Sequence, residues 1–543
     1  MMTYNWWARS SLVVCVLVVL SVAVTACGSG SSSSNSSTSG GEAEGSANSS
    51  TVSTESGSSG GTFTAGLADD TPSLDPANCP TTIYCRPAYN ALIQMGSKGE
   101  FEPSLATSWK FTDAGHQSFE VKLREGLKFS DGTELTGAAA AASMISFSKV
   151  PSVSTTNYFP IRTVKAAGKY AFIIEYKEPV TYRYACEQIS SNGTLGRLVG
   201  PEGVKDRKSL EKSSDGIGPY VLDSSETTKG STYTWVPNPD YYEKSGIKFG
   251  KVVFKVMPEP ASRFSAVQSG QIDWAQQILN EDRSQAESAG LQITQGEPGS
   301  QPMVILANRE SGPLSKLEVR EALSYALPRE ELAVALYGEE ATPSSALVFE
   351  HTEGFDAEAA ELFPYNVEKA KELLAKAGYA NGFTLKLLSA GIFDPNNSLS
   401  QAMQASLGEI GVKVEIEPVA QLTTYTEKAA SKQYDAMIQN SGAVGLSSLL
   451  LVKMGPGSPG NPWSLPIPAE VTKLAKEAAL EPTPEAQEEK MEEASLAFSK
   501  QVWTLTVAEQ PVIQAVSSKV GNVAPSYLAI QPDPFGEEWT LSG

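Results

Sequence analysis

The chain has 543 residues, with 42 Lys and Arg against 62 Asp and Glu, so its formal net charge is −20. So acidic a surface disfavours nucleic acid and anionic lipid as partners, because both repel a negative protein. The part of the chain after residue 60 is longer than one hydrophobic core normally serves, and we therefore expect more than one lobe.

The N-terminal segment has the pattern of an export signal. An apolar run at residues 12–26 follows a lone positive charge, Arg9. A spanning helix needs ~20 apolar residues, so this run suits a signal-peptide core better. Its end, VTAC, resembles the bacterial lipoprotein signal, which implies that residues 1–26 are removed and that Cys27 is lipidated. An uncleaved anchor, or cleavage at Ala26 without lipid, is the alternative.

The next segment predicts a tether. Residues 28–60 are almost entirely Ser, Gly, Thr, Asn, Ala and Glu. Such a composition does not bury enough apolar surface to fold. A flexible linker of about 33 residues has a root-mean-square reach of roughly 30 Å. We therefore predict that residues 27–60 are a lipidated cysteine and a disordered tether. The protein would then lie on the outer face of the cell membrane, held only by its lipid.

Three cysteines remain after Cys15 in the signal and Cys27. Disulfides persist outside the cytoplasm, so Cys79 and Cys85 are predicted to pair, which leaves Cys186 as a buried free thiol. Pairing of Cys186 with one of the other two stays open.

No metal site and no cofactor are expected. The only histidines, His116 and His351, are far apart in sequence and near no cysteine.

The first part of the folded sequence predicts strands. A strand begins near Gly61 and leads into an Asp/Pro-rich turn. Residues 118–135 are typical of a hairpin, with apolar residues alternating from Phe119 and an Asp-Gly turn at 131–132. Further strands are predicted at 170–176 and 251–257.

The middle of the chain predicts alternating helices and strands. Helices are expected over 315–327 and again after Pro328. Another runs from the N-cap Asn366 to the C-terminal Gly378. A strand, a helix and a second strand follow between residues 383 and 419. The whole is an α/β chain with mixed sheets.

Seven segments in register resemble the peptide/nickel-type (family 5) extracellular solute-binding proteins of ABC importers. They are residues 89–135, 216–222, 238–244, 266–275, 306–327, 364–385 and 434–438. Signature positions such as Trp109 and Arg124 are expected to form scaffold rather than to touch ligand.

The resemblance implies a two-lobed periplasmic-binding-protein-like fold (type II, large cluster C-like) with a two-strand hinge. Lobe I would comprise residues 61–301 plus 502–543, with an inserted subdomain, and lobe II residues 302–501. The crossing strands are expected near Met303–Ala307 and Val502–Ala508. The ligand would be engulfed between the lobes.

A departure from the family bears on the ligand. Peptide-binding members hold the ligand's amino terminus with an aspartate after the strand that matches residues 434–438. Residues 439–463 contain no Asp or Glu. A buried ammonium without a carboxylate is costly. Either the ligand lacks a free amino terminus, which favours a neutral hydroxyl-rich solute, or the acid comes from elsewhere.

The predicted ligand-binding residues combine hydroxyl, amide and aromatic side chains, which hydrogen-bond or stack on a flat ligand face. They are Thr81, Thr82, Tyr84, Tyr158, Phe159, Asn440, Ser441 and Trp463. The structural alternatives are a rigid loop for the residues at 81–84, core packing for 158–159, and a core anchor for Trp463.

The leading interpretation is a monomeric receptor lipoprotein that captures a solute and delivers it to an ABC permease. An oligopeptide or dipeptide receptor is the alternative, as is a sensory peptide-binding lipoprotein without import. An exported hydrolase is disfavoured. No GxSxG nucleophile elbow is present, since the matching stretch at residues 57–61 lies in the Ser/Gly-rich segment before the folded sequence. Both His116 and His351 are predicted in solvated loops.

Overall fold

The computed structural model describes residues 60–541 except 72, 80–81, 97–98, 151–159, 192, 296–301, 392, 441–444, 451–461, 464 and 524–538. The predicted signal peptide, the lipidation site Cys27 and residues 28–59 of the tether lie outside these residues. Across the part that is described, every helix is too short or too polar to cross a bilayer.

The strands follow in chain order. They are β1 (Thr62–Leu67), β2 (Ile93–Met95), β3 (Phe101–Pro103), β4 (Ala106–Phe111), β5 (Ser118–Leu123), β6 (Ile161–Gly168), β7 (Ala171–Tyr176), β8 (Tyr220–Leu222), β9 (Thr232–Pro237), β10 (Lys251–Val256), β11 (Trp274–Ala275), β12 (Gln292–Gln295), β13 (Pro302–Leu306), β14 (Thr342–Pro343), β15 (Thr384–Ala390), β16 (Lys413–Val419), β17 (Ala436–Asn440), β18 (Thr504–Thr506), β19 (Ala508–Glu509), β20 (Ile513–Val516), β21 (Val520–Gly521) and β22 (Thr540–Leu541).

The α-helices are α1 (Gly137–Phe147), α2 (Tyr182–Ile189), α3 (Pro201–Lys205), α4 (Pro260–Gln268), α5 (Arg283–Ser288), α6 (Leu317–Tyr325), α7 (Arg329–Tyr337), α8 (Ala357–Ala360), α9 (Val367–Lys376), α10 (Ser398–Gly408), α11 (Leu422–Ala430), α12 (Leu446–Ser448), α13 (Ala469–Ala478) and α14 (Pro484–Ser499).

The first sheet has seven strands in the order β12-β20-β11-β1-β10-β9-β8. Its centre is β1, which runs parallel to β10 and β11. Alternate residues of β1, Phe63, Ala65 and Leu67, are fully buried in the first core. The period of two in TFTAGL places this apolar face inward.

A small antiparallel sheet, β4-β5-β7-β6, is inserted after the first strands. The predicted alternation from Phe119 is confirmed, since Phe119 and Val121 of β5 are fully buried. The predicted strand at 170–176 is confirmed as β7. Pairing around the Asp-Gly turn at 131–132 is shorter than a full hairpin, with one bridge between Lys128 and Glu134.

The second sheet has five strands in the order β16-β15-β17-β13-β18, with β15, β16 and β17 parallel to one another. Helix α9 confirms the prediction for this region. The side chain of Asn366 accepts a hydrogen bond from the Lys369 amide at 2.8 Å, as an N-cap does. Gly378 follows the helix with a φ of +86°, which favours glycine.

The two segments predicted as crossing strands, residues 303–307 and 502–508, pair with each other. Strand β18 pairs with β13 in the second sheet, and Val502, Leu505 and Ala508 pack in the second core. The next strand of the first sheet is β20, which begins at Ile513. The segment 502–508 therefore belongs with the second sheet. An apolar strand pattern predicts burial but does not say in which sheet.

The predicted disulfide between Cys79 and Cys85 is confirmed. The structure joins Cys79 to Cys85 in a disulfide, and Cys186 is a buried free thiol on α2.

The return of the chain to the first core is anchored by Trp539. Its ring contacts Phe63 at a centroid distance of 6.1 Å and Trp274 at 5.9 Å, and all three side chains are fully buried. We expect Trp539→Ala to lower the free energy of unfolding by about 3–5 kcal/mol, because it leaves a large cavity. Urea unfolding followed by circular dichroism measures this.

Tyr365→Ala is the matched control, since the Tyr365 ring is 47% exposed and its loss should change stability by about 0.5 kcal/mol or less. A loss below about 1 kcal/mol for Trp539→Ala would show that the C-terminal segment does not anchor the core.

Candidate functional site

The parallel strands of the first sheet end at one side. Leu67, Val256 and Ala275 are the last residues of β1, β10 and β11, which run in the same direction. Ligands of open α/β sheets bind outside such carboxyl ends. We call the three loops that follow these strands, residues 68–71, 257–259 and 276–279, the first edge.

A buried arginine on α4 holds two of these loops. The Arg263 guanidinium donates to the carbonyl oxygens of Met257 and Gln276 at 2.6 Å, Pro258 at 2.7 Å and Gln277 at 2.8 Å. Desolvation lowers the pKa of Arg263 to about 10, so the side chain stays charged at neutral pH. A single cation thus fixes the backbone of both loops.

The third loop of the first edge carries two exposed carboxylates, Asp69 and Asp70. The Tyr84 hydroxyl donates to the carbonyl oxygen of Asp69 at 2.7 Å, and the Tyr233 hydroxyl donates to Asp70 Oδ1 at 2.7 Å. Partial desolvation raises the pKa of Asp69, and the positive charge of Arg263 opposes that rise. Tyr84 therefore holds the backbone of this loop at Asp69, and Tyr233 holds the carboxylate of Asp70.

The second sheet has an equivalent side. Strands β15, β16 and β17 end together at Ala390, Val419 and Asn440, and we call the residues that follow them the second edge. The Tyr425 hydroxyl supports this edge by donating to the carbonyl oxygen of Ile438 at 2.6 Å.

One acidic residue follows β15 at the second edge, and its oxygens are occupied. Asp394 is buried and accepts from the amides of Leu399 and Ser400 at 2.8 and 3.0 Å, and from the hydroxyls of Ser389 and Ser400. It fixes the start of α10. A carboxylate with four donors is a poor acceptor for a further ligand group.

Two of the predicted binding residues are corrected by their positions. Tyr84 is fully buried, and its ring packs against Tyr233 and Phe254. Trp463 is buried in the second sheet's core, where its indole N–H donates to the Ala429 carbonyl oxygen at 3.0 Å. Both side chains anchor loops rather than face solvent. A sequence shows an aromatic residue in a loop but not the direction of its side chain.

The other predicted positions are partly outside the described residues. Asn440 is half-buried at the end of β17, where a ligand-binding side chain was predicted. Thr82 begins a short 3₁₀ turn, Thr82–Tyr84. Thr81, Tyr158, Phe159 and Ser441 lie outside the described residues, and their roles stay predictions.

The sequence reasoning missed the residues that organise the first edge: Asp69, Asp70, Arg263 and Gln276. The Gln276 side chain accepts from the Ala68 amide at 3.0 Å and joins two loops of the edge. A usable signal was present, because the Asp-Asp pair directly follows the central strand.

A separate cavity of about 430 Å³ lies near the turn after β9 and includes Tyr241, Tyr242, Arg124 and Lys248 in its lining. Because β9 runs antiparallel to β10, this turn is at the opposite side of the sheet from the first edge. Across the described ranges, no group of three or more His, Cys, Asp or Glu side chains is placed to hold a metal ion.

The comparison with protein families identifies the chain. The profile of the bacterial extracellular solute-binding proteins, family 5 Middle, matches residues 100–509. This chain belongs to that family. The resemblance carried by the seven segments is confirmed, and the family consists of solute-binding proteins of ABC importers, not enzymes.

Curated relatives are distant. The glutathione-binding protein GsiB of Shigella flexneri serotype 5b is 27% identical over 357 residues, which are 63% of this chain and 66% of that protein. GsiB of Escherichia coli K12 is also 27% identical over 357 residues. This chain therefore aligns with slightly less than two thirds of the length of these relatives.

Solved structures share the fold. AgaA from Agrobacterium tumefaciens R10, in complex with agropinic acid, has a TM-score of 0.74 at 22% identity, covering 89% of this chain and 99% of that one. DppA from Helicobacter pylori, in complex with the peptide STSA, has a TM-score of 0.74 at 18% identity, with 89% and 98% covered. These likenesses confirm the α/β periplasmic-binding-protein fold.

The first edge depends on Arg263. We expect Arg263→Met to leave four carbonyl groups without this donor, to destabilise the protein by about 3 kcal/mol or more, and to speed amide exchange at 257–259 and 276–279. Hydrogen exchange with mass spectrometry measures the local effect.

Lys205→Met is the control, since Lys205 forms an exposed ion pair with Glu202 that should contribute about 1 kcal/mol or less. Unchanged exchange in both loops of the Arg263 variant would contradict its proposed role.

Proposed function

We propose that this protein is a lipoprotein receptor that captures an extracellular solute between its two sheets and delivers it to an ABC permease. The observation that carries this proposal is the pair of edges. Each sheet presents the carboxyl ends of three parallel strands, and the loops of the first edge are held rigid by Arg263, Tyr84 and Tyr233.

Capture would proceed by closure of one lobe onto the other. In the closed form, both edges contact the solute, whereas in the open form only one edge does. Binding of the solute therefore shifts the population toward the closed form. A permease that distinguishes closed from open receptor would then respond only to loaded protein.

The second edge supports a ligand without a free amino terminus. Residues 439–463 contain no acid, and Asp394 already accepts from four donors. A buried ammonium placed here would lack a partner. We therefore propose a neutral hydroxyl-rich solute, which amide and hydroxyl groups such as those of Asn440 and Ser441 would hold.

A peptide is the second candidate, and the exposed pair Asp69 and Asp70 favours it. These carboxylates at the first edge would supply, from the other lobe, the charge that the second edge lacks. Peptides and dipeptides are therefore the alternative ligands that we propose for this receptor.

A thermal-shift screen separates the two ligand classes. We expect oligosaccharides or polyols to raise the melting temperature, because a bound ligand stabilises the folded state by mass action. Asp69→Asn with Asp70→Asn should leave that shift unchanged. If peptides stabilise the protein, and the double variant or acetylation of the peptide abolishes the effect, the neutral-solute proposal is wrong and the peptide receptor is supported.

Membrane attachment is tested separately. We expect Cys27→Ala to release the protein from the membrane fraction, because the lipid on Cys27 is the anchor in this proposal; retention in that fraction would favour the uncleaved anchor instead. Mass spectrometry of the wild-type N-terminus should show acylated Cys27. Cys15→Ala is the control, since Cys15 lies inside the predicted signal and should leave attachment intact.

A further inference from the structure

Helix α2 follows the small sheet in the chain and makes polar contacts with the second lobe. The Thr181 hydroxyl donates to Glu353 Oε1, and the Tyr182 amide donates to Gln487 Oε1 at 2.7 Å. Arg183 Nη2 donates to the carbonyl oxygen of His351 at 2.7 Å. Three consecutive residues at the start of α2 therefore bind a loop and a helix on the other side. We call this region the α2 contact.

Three glutamates meet at the α2 contact: Glu187 on α2, Glu353 in the loop and Glu488 on α14. Glu187 is 7% exposed and Glu353 is 1% exposed. Arg183 Nε lies 3.1 Å from Glu187 Oε1 and is the cation in direct contact with the cluster.

All three carboxyl groups accept hydrogen bonds at this contact. Glu353 accepts at both oxygens, from the Thr181 hydroxyl and from the Ser447 amide at 2.9 Å. Glu187 Oε1 accepts from Arg183 Nε at 3.1 Å, and Glu488 Oε1 accepts from the Gly354 amide at 2.5 Å. Three carboxyl groups thus lie around one bonded arginine, and protons on Glu187 and Glu488 would relieve the repulsion among them.

The surroundings favour those protons. Burial raises the pKa of Glu187 to about 7; Arg183 opposes this rise and Glu353 adds to it. Burial also raises the pKa of Glu488 to about 7, opposed by its bond from Gly354 and reinforced by Glu353. The remaining ionisable neighbours are Tyr184 and Cys186 on α2, His351 in the loop, Glu492 on α14, and His116, which contacts Gln487.

We propose that closure of the two lobes takes up protons at the α2 contact, so that mildly acidic conditions favour the closed receptor and neutral to alkaline conditions weaken it. The proposal rests on the receptor function proposed above. Closing places Glu187 of α2 against Glu353 and Glu488 of the second lobe, and opening removes that contact and gives the carboxyl groups more water.

The direction follows from linkage. A carboxyl group with a higher pKa in the closed form binds its proton more tightly there, so the closed form gains stability where that proton is present. The gain is complete below the ordinary glutamate value of 4.5 and is lost as pH rises to about 7. We expect the closing constant to fall about tenfold or more between pH 5 and 8.

The test measures the distance between the lobes without any solute. Lys165 on β6 and Lys371 on α9 are exposed, and cysteines placed there carry spin labels. Cys186 is buried, Cys79 and Cys85 are bonded to each other, and Cys15 and Cys27 are replaced by Ala in the labelled protein. In the labelled protein without further substitutions, the fraction of molecules with a short distance between the two spin labels should shrink from pH 5 to pH 8.

Glu187→Gln with Glu488→Gln keeps the shape of both side chains but removes their titration. Its closed population should stay high and nearly constant with pH. The control is Glu415→Gln, an exposed residue of β16, which should retain the wild-type profile. A pH-independent distance in the wild type, or an unchanged profile in the double glutamine variant, would overturn the proposal.

Failure of this inference differs from failure of the receptor function. If a stabilising solute shortens the distance while pH does not, the lobes close without proton uptake and only the inference is wrong. If neither pH nor any solute changes the distance, the closing receptor itself is wrong. Circular dichroism across the pH range confirms that each variant is folded.

Discussion

The pairing of β13 with β18 is the constraint on which the two-lobed arrangement depends. The strand that begins the second sheet's share of the chain and the strand that ends it lie side by side, with Val304 opposite Leu505 and Ile305 opposite Thr504. Both connections to the first sheet therefore leave from neighbouring positions. Because the two connections are adjacent, they can serve as one hinge. The topology therefore permits rotation of one sheet relative to the other about that hinge.

Buried arginines act as cross-links within this frame. Arg263 joins the loops of the first edge, while Arg329 donates to the carbonyl oxygens of Thr506 and Phe363 at 2.9 and 2.8 Å. Desolvation lowers the pKa of both to about 10, yet each remains protonated and satisfied by carbonyl groups rather than by an ion pair. Arg263 thus links the loops of the first edge, and Arg329 links β18 to the segment before α9.

Local periodicity predicted much of the fold. The alternation in β5 and β7, and the capped period of α9, come from interactions within a few residues, so the sequence alone contains them. The sheet that β18 joins was not predictable, because its apolar pattern is equally compatible with either sheet.

The site was harder to predict than the fold. Tyr84 and Trp463 were chosen for their chemistry, but tertiary packing directs both side chains into a core. Asp69 and Asp70 were overlooked because an Asp-rich turn looks like ordinary solvated loop until the strand before it is known to be central. The position of Asn440 at the end of β17 follows from the sequence, because the end of a buried strand is visible there, while its binding role stays a prediction.

The bond from the Tyr84 hydroxyl to the Asp69 backbone has an evolutionary consequence. Tyr84 packs between Tyr233 and Phe254, so any exchange among these three aromatic residues would move the loop that carries Asp69. Under the proposed function, substrate preference in such a lineage would then drift through mutations of the hydrophobic interior. Two descendants with identical solvent-facing residues would differ in what they recognise.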